Sequence, residues 1–274
     1  MKIAIIGYGF VGKAVSYGFS DTRLKQTLID PILGLSLADV NIHTHGCIFV
    51  CLPTPMGDDG SIDSSILDSV LNEVLNIRGY KGLVIIKSTV TPDIIRKYEN
   101  YKVVYNPEFL TEKKAEEQFV NPDFHVFGGR KAYTNFVEQL YKKYSLCAPC
   151  PVFHTSLSEA SIIKYAVNSY LAVKVTFFNQ LYDLCEKEND ASFNTIVNAV
   201  ITDPRIGSSH TRVPGFDRKR GFGGSCFPKD TSAISNYTDT LSLVEAVIKI
   251  NNTYREGYDL DDREKEQSIR FSSK

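Results

Sequence analysis

The sequence predicts an α/β protein, with an N-terminal Rossmann-like parallel sheet followed by a long helix and a smaller all-helical domain. Short apolar runs alternate with helical patterns over roughly the first 150 residues, as in repeated βαβ units. Strand patterns then stop, and one helical pattern runs about 30 residues without Pro or Gly. We therefore expect a sheet domain over 1–150, a helical central domain over 151–256 and a charged tail over 257–274.

The individual elements follow from local patterns. The run KIAII at residues 2–6 is fully apolar after its first residue, which is typical of a strand buried on both faces. Further strands are predicted at 27–29, 48–52, 83–86, 103–105 and 125–127. Helices are predicted from the glycine motif to about residue 19, and over 64–77, 131–144, 191–204 and 240–254.

The long helix begins after Ser156, because Ser156 and Glu159 form a capping-box pattern, and it extends to about Glu188. A helix of this length exceeds what one small domain needs. It either spans two domains, forms a homodimer interface, or is an ordinary core helix with a frayed end. The tail DLDDREKEQSIRFSSK after it is expected to be frayed or disordered because of its charge.

Composition excludes several classes of protein. The net charge of −1 argues against a nucleic-acid partner, and no apolar run reaches the roughly 18 residues of a membrane span. No signal peptide is visible, so we predict a cytoplasmic protein with reduced thiols. Cys147 and Cys150 form a CxxC, which is readable as a redox pair or as half of a zinc site. A zinc site needs about four ligands, and no second CxxC or closely spaced His pair supplies them, so no metal is predicted.

The first strand runs into a dinucleotide fingerprint, which comprises Gly7, Tyr8, Gly9, Phe10, Val11 and Gly12. The glycines permit a tight turn, close approach of a pyrophosphate and close helix–strand packing, and the helix N-terminus attracts phosphate. Asp30 ends the second strand, where a carboxylate can bind the ribose hydroxyls. Pro31 and Ile32 follow it and bring no Arg for a 2′-phosphate, which favours NAD over NADP.

A second motif, GFGGSCFPKDT at residues 221–231, places Cys226 behind glycines and before a predicted helix start. A thiol in such a position is a candidate nucleophile. The helix N-terminus and Lys229 are both expected to lower the pKa of this thiol. Asp230 lies four residues after Cys226, where it can handle protons or orient another group.

This motif resembles the active-site signature of the UDP-glucose/GDP-mannose dehydrogenase family. Five further segments resemble that family's motifs in the same order: VCLPTP with DGS at 50–61, KSTV at 87–90, YNPEFL to the paired glycines at 105–129, the Glu159–Asn168 part of the long helix, and the DPRIG loop at 203–207. The resemblance covers roughly residues 1–256.

The resemblance implies two successive NAD-dependent oxidations that convert the C6 alcohol of a nucleotide sugar, most simply UDP-glucose to UDP-glucuronate, into a carboxylate. Cys226 would form a thiohemiacetal and then a thioester. Lys164 and Asn168, four apart on one helix, would stabilise an oxyanion at C6. Glu108 and Thr89 would position water.

The same resemblance assigns binding residues. Those implied for the cofactor, beyond the fingerprint and Asp30, are Pro53, Thr54, Thr89, Glu112 and Lys229. Those implied for the substrate are Glu108, Phe109, Leu110, Glu112, Lys164, Asn168, Arg205, Gly223 and Cys226. In the family Arg205 would act across a subunit boundary of a homodimer built on the long helix. Taken singly, Lys164 is also readable as a solvated helix residue, and Glu108 or Asp230 as a helix-start carboxylate.

The sequence departs from the family in two places. Only 16 residues separate Asp30 from the next strong strand, so we expect a trimmed sheet. A third domain that binds the uridine is expected to be missing, which leaves nucleotide recognition open. UDP-N-acetylated sugars and GDP-mannose are alternative substrates. Other hypotheses are a non-catalytic NAD-binding regulatory subunit, or a dehydrogenase of the 6-phosphogluconate or 3-hydroxyacid type.

Overall fold

A computed structural model describes residues 1–21 and 23–272 and divides the chain into two compact units. The first unit comprises residues 1–54 and 63–164, and the second comprises residues 55–62 and 165–274. The described residues contain seven strands and ten α-helices. The predicted α/β class, with a sheet followed by a long helix and a smaller helical part, is confirmed.

The first unit is built on one sheet in the order β2-β1-β3-β4-β5-β6-β7. Its strands are β1 (Lys2–Ile6), β2 (Lys25–Ile29), β3 (Cys47–Val50), β4 (Leu83–Ile86), β5 (Val103–Tyr105), β6 (His125–Gly128) and β7 (Val152–Thr155). The chain order reverses between β1 and β3, and ligands of doubly wound sheets bind at the carboxyl ends of the strands at such a point.

All pairings are parallel except that of β5 with β6, which meet antiparallel at Tyr105 and Gly128. The sheet is therefore mixed, where the sequence predicted a parallel one. The helices of this unit are α1 (Phe10–Gly18), α2 (Ser65–Leu75), α3 (Pro92–Arg96), α4 (Ala115–Val120) and α5 (Lys131–Tyr144). Three short 3₁₀ turns occupy residues 31–44 between β2 and β3, in place of an α-helix.

One long helix, α6 (Leu157–Lys187), belongs to both units, because its residues up to Lys164 lie in the first and the rest in the second. The predicted capping box is present: the backbone N–H of Ser156 donates to Glu159 Oε2 at 2.7 Å, and the N–H of Glu159 donates to Ser156 Oγ at 3.1 Å. These bonds satisfy helix donors that would otherwise lack partners, and they fix where the helix begins.

The second unit is helical. After its part of α6 it contains α7 (Phe193–Val200), α8 (Phe227–Tyr237), α9 (Ser242–Arg255) and α10 (Asp262–Glu266). Small apolar clusters hold it together, one of them around Ala172, Phe222 and Val247.

The prediction of a frayed C-terminal tail is wrong for residues 259–272. Asp261 and Glu264 form a capping box that starts α10, and Glu264 and Ile269 are buried. The prediction failed because charged residues usually indicate a solvated segment. Here the carboxylate of Glu264 pairs with a buried cation, Arg255.

Candidate active site

The glycine turn after β1 has the shape that a dinucleotide requires. Gly7 has a φ of +89°, and a Cβ there would lie 2.4 Å from the Cys51 carbonyl oxygen. A Cβ at Gly12 would lie 2.0 Å from the Gly7 carbonyl oxygen, whereas a Cβ at Gly9 would meet nothing within 4 Å. Open space at Gly9 therefore adjoins the N-terminus of α1, where free N–H groups and the helix dipole favour a pyrophosphate.

Asp30 closes this turn from the end of β2. Its Oδ2 accepts from the Tyr8 N–H at 2.6 Å and its Oδ1 accepts from the Ile32 N–H at 2.8 Å. Each carboxylate oxygen has a second lone pair, so the group can also accept from ribose hydroxyls. The residues present thus fit NAD, whose nicotinamide accepts a hydride when the cofactor is bound.

The loop after β3 is bonded to the loop after β4. The Leu52 N–H donates to Ser88 Oγ at 2.9 Å, and Thr54 Oγ1 donates to the Thr89 carbonyl at 2.8 Å. Thr54 and Thr89 are buried, while Pro53 is exposed. The predicted cofactor residues Pro53, Thr54 and Thr89 therefore stand together at the carboxyl edge of the sheet, on the same side as the glycine turn.

Lys164 and Glu108 form a buried ion pair within the first unit. The ammonium of Lys164 donates to the Glu108 carbonyl at 2.6 Å and to its Oε1 at 3.1 Å, and both side chains are at most 6% exposed. Glu108 Oε2 accepts from the Leu110 N–H at 2.6 Å, and the Lys164 ammonium lies 5.4 Å from the Phe109 ring centroid. The simpler interpretation of Lys164 as a solvated surface residue is wrong, because this pair draws it into the interior.

A second buried ion pair lies in the second unit. Asp230 Oδ1 accepts from the Lys229 ammonium at 2.6 Å, and its Oδ2 accepts from the Asn168 amide at 2.6 Å. All three side chains are buried. Lys229 thus neutralises Asp230, and Asn168 is held by a carboxylate in the first turn of α8.

Cys226 immediately precedes α8, at its N-cap position, as the motif predicted. Its carbonyl accepts from the Asp230 N–H at 2.8 Å, and its sulfur lies 3.6 Å from Ser225 Oγ. The side chain is partly exposed. A thiol is therefore accessible at a helix N-terminus, one turn before the buried Asp230.

Three other predicted site residues have different surroundings. Arg205 is highly exposed and pairs with Asp203 at 2.6 Å, in a two-residue turn of the DPRIG loop. Glu112 is exposed at the start of a short 3₁₀ turn. Gly223 packs against Arg255, since a Cβ there would lie 1.7 Å from Arg255 Nη2.

A cavity of about 90 Å³ in the first unit was not predicted from the sequence. Among the residues that line it are Lys87, Asn106, Glu108, His125 and Tyr141. The Lys87 ammonium and the Tyr141 hydroxyl both donate to Asn106 Oδ1, at 3.0 Å and 2.7 Å. Burial lowers the pKa of Lys87 to about 8 and, with the nearby Lys87 charge, that of His125 to about 4. The sequence feature that could have indicated this cluster is Lys87 itself, a lysine directly after a fully buried strand.

The sequence carries two matched domains of one family. Residues 36–145 match the NAD-binding domain of the UDP-glucose/GDP-mannose dehydrogenase family, and residues 158–253 match its central domain. The chain belongs to the UDP-glucose/GDP-mannose dehydrogenase family. It is accordingly an NAD-dependent oxidoreductase by family, and the glycine turn described above fits that cofactor.

Individual relatives agree. The UDP-glucose 6-dehydrogenase AglM of Haloferax volcanii is 30% identical over 95% of this chain and 74% of its own length. A UDP-glucose 6-dehydrogenase of Rhizobium meliloti is 35% identical over 92% of this chain and 68% of its own. Among solved structures, a UDP-glucose dehydrogenase of Pyrobaculum islandicum superposes with a TM-score of 0.76 at 28% identity, over 92% of this chain and 68% of that one.

Two kinds of feature are absent from the residues that the structure describes. None of their helices is both long enough and apolar enough to cross a membrane. Among residues 1–21 and 23–272, no group of three or more His, Cys, Asp or Glu side chains is arranged to hold a metal ion. All six cysteines lie among the described residues, and none of them, including Cys147 and Cys150, forms a disulfide.

Substitutions at two glycines of this turn should affect folding and cofactor binding separately. Gly12→Ala should destabilise the protein by about 1–3 kcal/mol, because its Cβ meets a backbone oxygen that cannot move aside. Gly9→Ala has room and an ordinary φ of −71°, so its melting temperature should stay at the wild-type value. Its methyl group fills the space next to the helix N-terminus, so NAD affinity in calorimetry should fall. Wild-type affinity in Gly9→Ala would contradict this placement of the pyrophosphate.

Lys87 should make stability depend on pH. Its pKa is about 8 when folded and near 10.5 when unfolded, so the unfolded chain binds more protons between these values. The unfolding free energy of the wild type should therefore rise with pH across this window, by up to about 3 kcal/mol relative to that of Lys87→Met. The same gain in stability should be lost as the pH is lowered again through 8. Urea titrations at several pH values measure it. The exposed Lys113→Met is the matched control, and parallel curves for wild type and Lys87→Met would refute the assignment.

Proposed function

We propose that this chain oxidises the C6 alcohol of UDP-glucose to a carboxylate with NAD, through a covalent intermediate on Cys226. The observation that carries the proposal is the accessible thiol at the N-terminus of α8, one turn before a buried carboxylate that holds the Asn168 amide. Chemistry without a nucleophile, as in 3-hydroxyacid-type dehydrogenases, has no use for a thiol in this position.

The first oxidation converts the alcohol to an aldehyde. The C6–H bond breaks with loss of a hydride, which NAD accepts when bound, and the hydroxyl loses its proton to a nearby carboxylate or water. Lys164 and Asn168 lie one turn apart on α6 and offer an ammonium and an amide to the developing oxyanion. Both are already fixed by carboxylates, so little reorganisation is needed during the reaction.

The second oxidation uses the thiol. The Cys226 thiolate adds to the aldehyde carbon to give a thiohemiacetal. Its C6–H bond then breaks with loss of a second hydride, which a second NAD would accept when bound, and its hydroxyl proton passes to solvent, which leaves a thioester. Water then attacks the thioester carbon and releases the carboxylate and the thiol. We assign two residues to positioning that water: Glu108, which follows β5, and Thr89, which follows β4. The helix N-terminus favours the thiolate, whereas the Lys229 charge is already paired with Asp230.

We also propose that the working form is a homodimer through α6. Four large apolar side chains on this helix are more than half exposed: Ile162, Tyr170, Phe177 and Leu184. Their spacings of eight, seven and seven residues keep them on one side of the helix. A second copy presents the same stripe, which suits a two-fold symmetric contact. Cysteines without disulfides and the NAD requirement both suit a cytoplasmic location, which we include in the proposal.

The covalent mechanism is tested with UDP-glucose and NAD. Wild type should release two NADH per sugar. Cys226→Ala should lose steady-state turnover by about a thousandfold or more, because the aldehyde is left without a nucleophile, and should bind NAD normally in calorimetry. Cys150→Ala, which removes another partly exposed thiol, is the matched control and should stay active. A fully active Cys226→Ala would remove the covalent step, and a wild type that binds NAD but turns over no UDP-, GDP- or N-acetylated sugar would favour a regulatory subunit.

The homodimer is tested by multi-angle light scattering. Tyr170→Glu combined with Phe177→Glu should shift the protein to the monomer mass, because two charges would enter the apolar contact. Glu186→Lys, which changes an exposed charge on the opposite side of the same helix, should leave the dimer intact. A wild-type monomer, or a dimer that persists in the double variant, would refute this interface.

A further inference from the structure

The C-terminal residues 259–272, here called the C-terminal clamp, fold against the loop that precedes Cys226. Glu264 in the clamp is fully buried, and its Oε1 accepts from the Gly224 N–H at 2.9 Å. The same oxygen accepts from Arg255 Nη2 at 2.7 Å. Gly224 is two residues before Cys226 in the chain. A carboxylate in the clamp is thus bonded to the backbone of the thiol loop.

Arg255 links the clamp to the rest of this loop. It is 1% exposed, and its Nη1 donates to Asp217 Oδ2 at 2.7 Å and to the Arg220 carbonyl at 3.5 Å. A Cβ at Gly223 would lie 1.7 Å from Arg255 Nη2 and 2.4 Å from Glu264 Oε1. The loop backbone therefore lies directly on the ion pair, with no room for a side chain between them.

The clamp also holds the segment that continues the loop after β3. The Met56 N–H donates to the Gln267 carbonyl at 3.0 Å, and Arg270 pairs with Asp58. On α8, Ser232 Oγ donates to the Gly60 carbonyl at 2.8 Å. Three parts of the second unit are therefore tied together: the clamp, the segment 55–62 and the helix α8 that follows Cys226.

A buried ion pair adds little net stability, since removing both charges from water costs about as much as their attraction returns. An apolar contact of the same volume would serve stability equally well. It could not accept the Gly224 N–H, which would then be left without this partner next to a buried backbone turn. The charge is therefore best explained by what it fixes, the geometry of the loop.

We propose that Glu264, held by Arg255, is a positioning residue for the Cys226 thiol. It fixes the Gly224 peptide and with it the point at which the chain enters α8, so that the sulfur stays at the helix N-terminus. This inference rests on the proposed role of Cys226, but the position of the sulfur is measurable without turnover.

The test compares Glu264→Gln with Glu266→Gln. Both remove one charge from α10, but Glu266 is exposed and pairs with Arg263. Alkylation of Cys226 by iodoacetamide, followed at the Cys226 peptide by mass spectrometry, should slow in Glu264→Gln and its pH profile should move upward. With UDP-glucose, kcat should fall by about 10–100-fold while KM stays near wild type, as expected for a small misplacement of the sulfur. Glu266→Gln should match wild type in both measurements.

Wild-type alkylation and kcat in a folded Glu264→Gln would overturn the proposal. If that variant does not fold, hydrogen exchange of the wild type decides. The amide of Gly224 lies outside every helix and strand, yet it should exchange slowly because Glu264 holds it, and fast exchange would refute the clamp. If Cys226→Ala proves active, the covalent mechanism fails, while the alkylation and exchange results still decide whether Glu264 positions this thiol.

Discussion

The chemistry that we propose depends on one interaction, that of a carboxylate in the first turn of α8 with its two partners. Asp230 is almost completely buried, so its charge must be paired within the protein. Lys229 supplies the opposite charge from the adjacent residue, and the Asn168 amide supplies a neutral donor from α6. One short helix thus carries the thiol at its start and fixes an amide of the long helix one turn later.

The pair of Lys164 and Glu108 follows the same logic in the first unit. Glu108 uses one oxygen for the ammonium and the other for the Leu110 N–H, so it orients the lysine and shapes its own loop at once. In both pairs a neutral donor shares the carboxylate. Such pairs are tolerated inside a protein, because each carboxylate oxygen taken from water accepts a new hydrogen bond. In the proposed mechanism, Lys164 and Asn168 are therefore held in place before any substrate binds.

The fold was predictable wherever pattern and burial agree. The strands 83–86 and 103–105 and the helix 131–144 lie where the sequence predicts them, because apolar runs and amphipathic periods report directly on which faces are buried. The capping box at Ser156 was predictable for a similar reason, since both partners are three residues apart. The site residues could be named from the ordered motifs, but the partners that fix them could not.

Those partners lie far apart in the chain, and no local pattern reports a pairing at such distance. Lys164 bonds Glu108 across 56 residues, and Asn168 bonds Asp230 across 62. Lys87 was missed for the same reason, because its acceptor Asn106 belongs to the neighbouring strand's end. The antiparallel pairing of β5 and β6 also follows from the course of the intervening chain, which strand patterns do not encode.

The glycines before Cys226 take on a different meaning in the folded chain. In the sequence alone, such glycines are compatible with a hinge that lets the thiol move. In the structure Gly223 is a contact surface, because any side chain there would collide with the guanidinium of Arg255 and the carboxylate of Glu264. Because Gly223 has no side chain, its backbone can lie directly on the buried ion pair. The neighbouring Gly224 N–H then donates to the carboxylate of that pair. The motif therefore favours a thiol held in place over one that swings, and the charged C-terminal residues supply the surface that holds it.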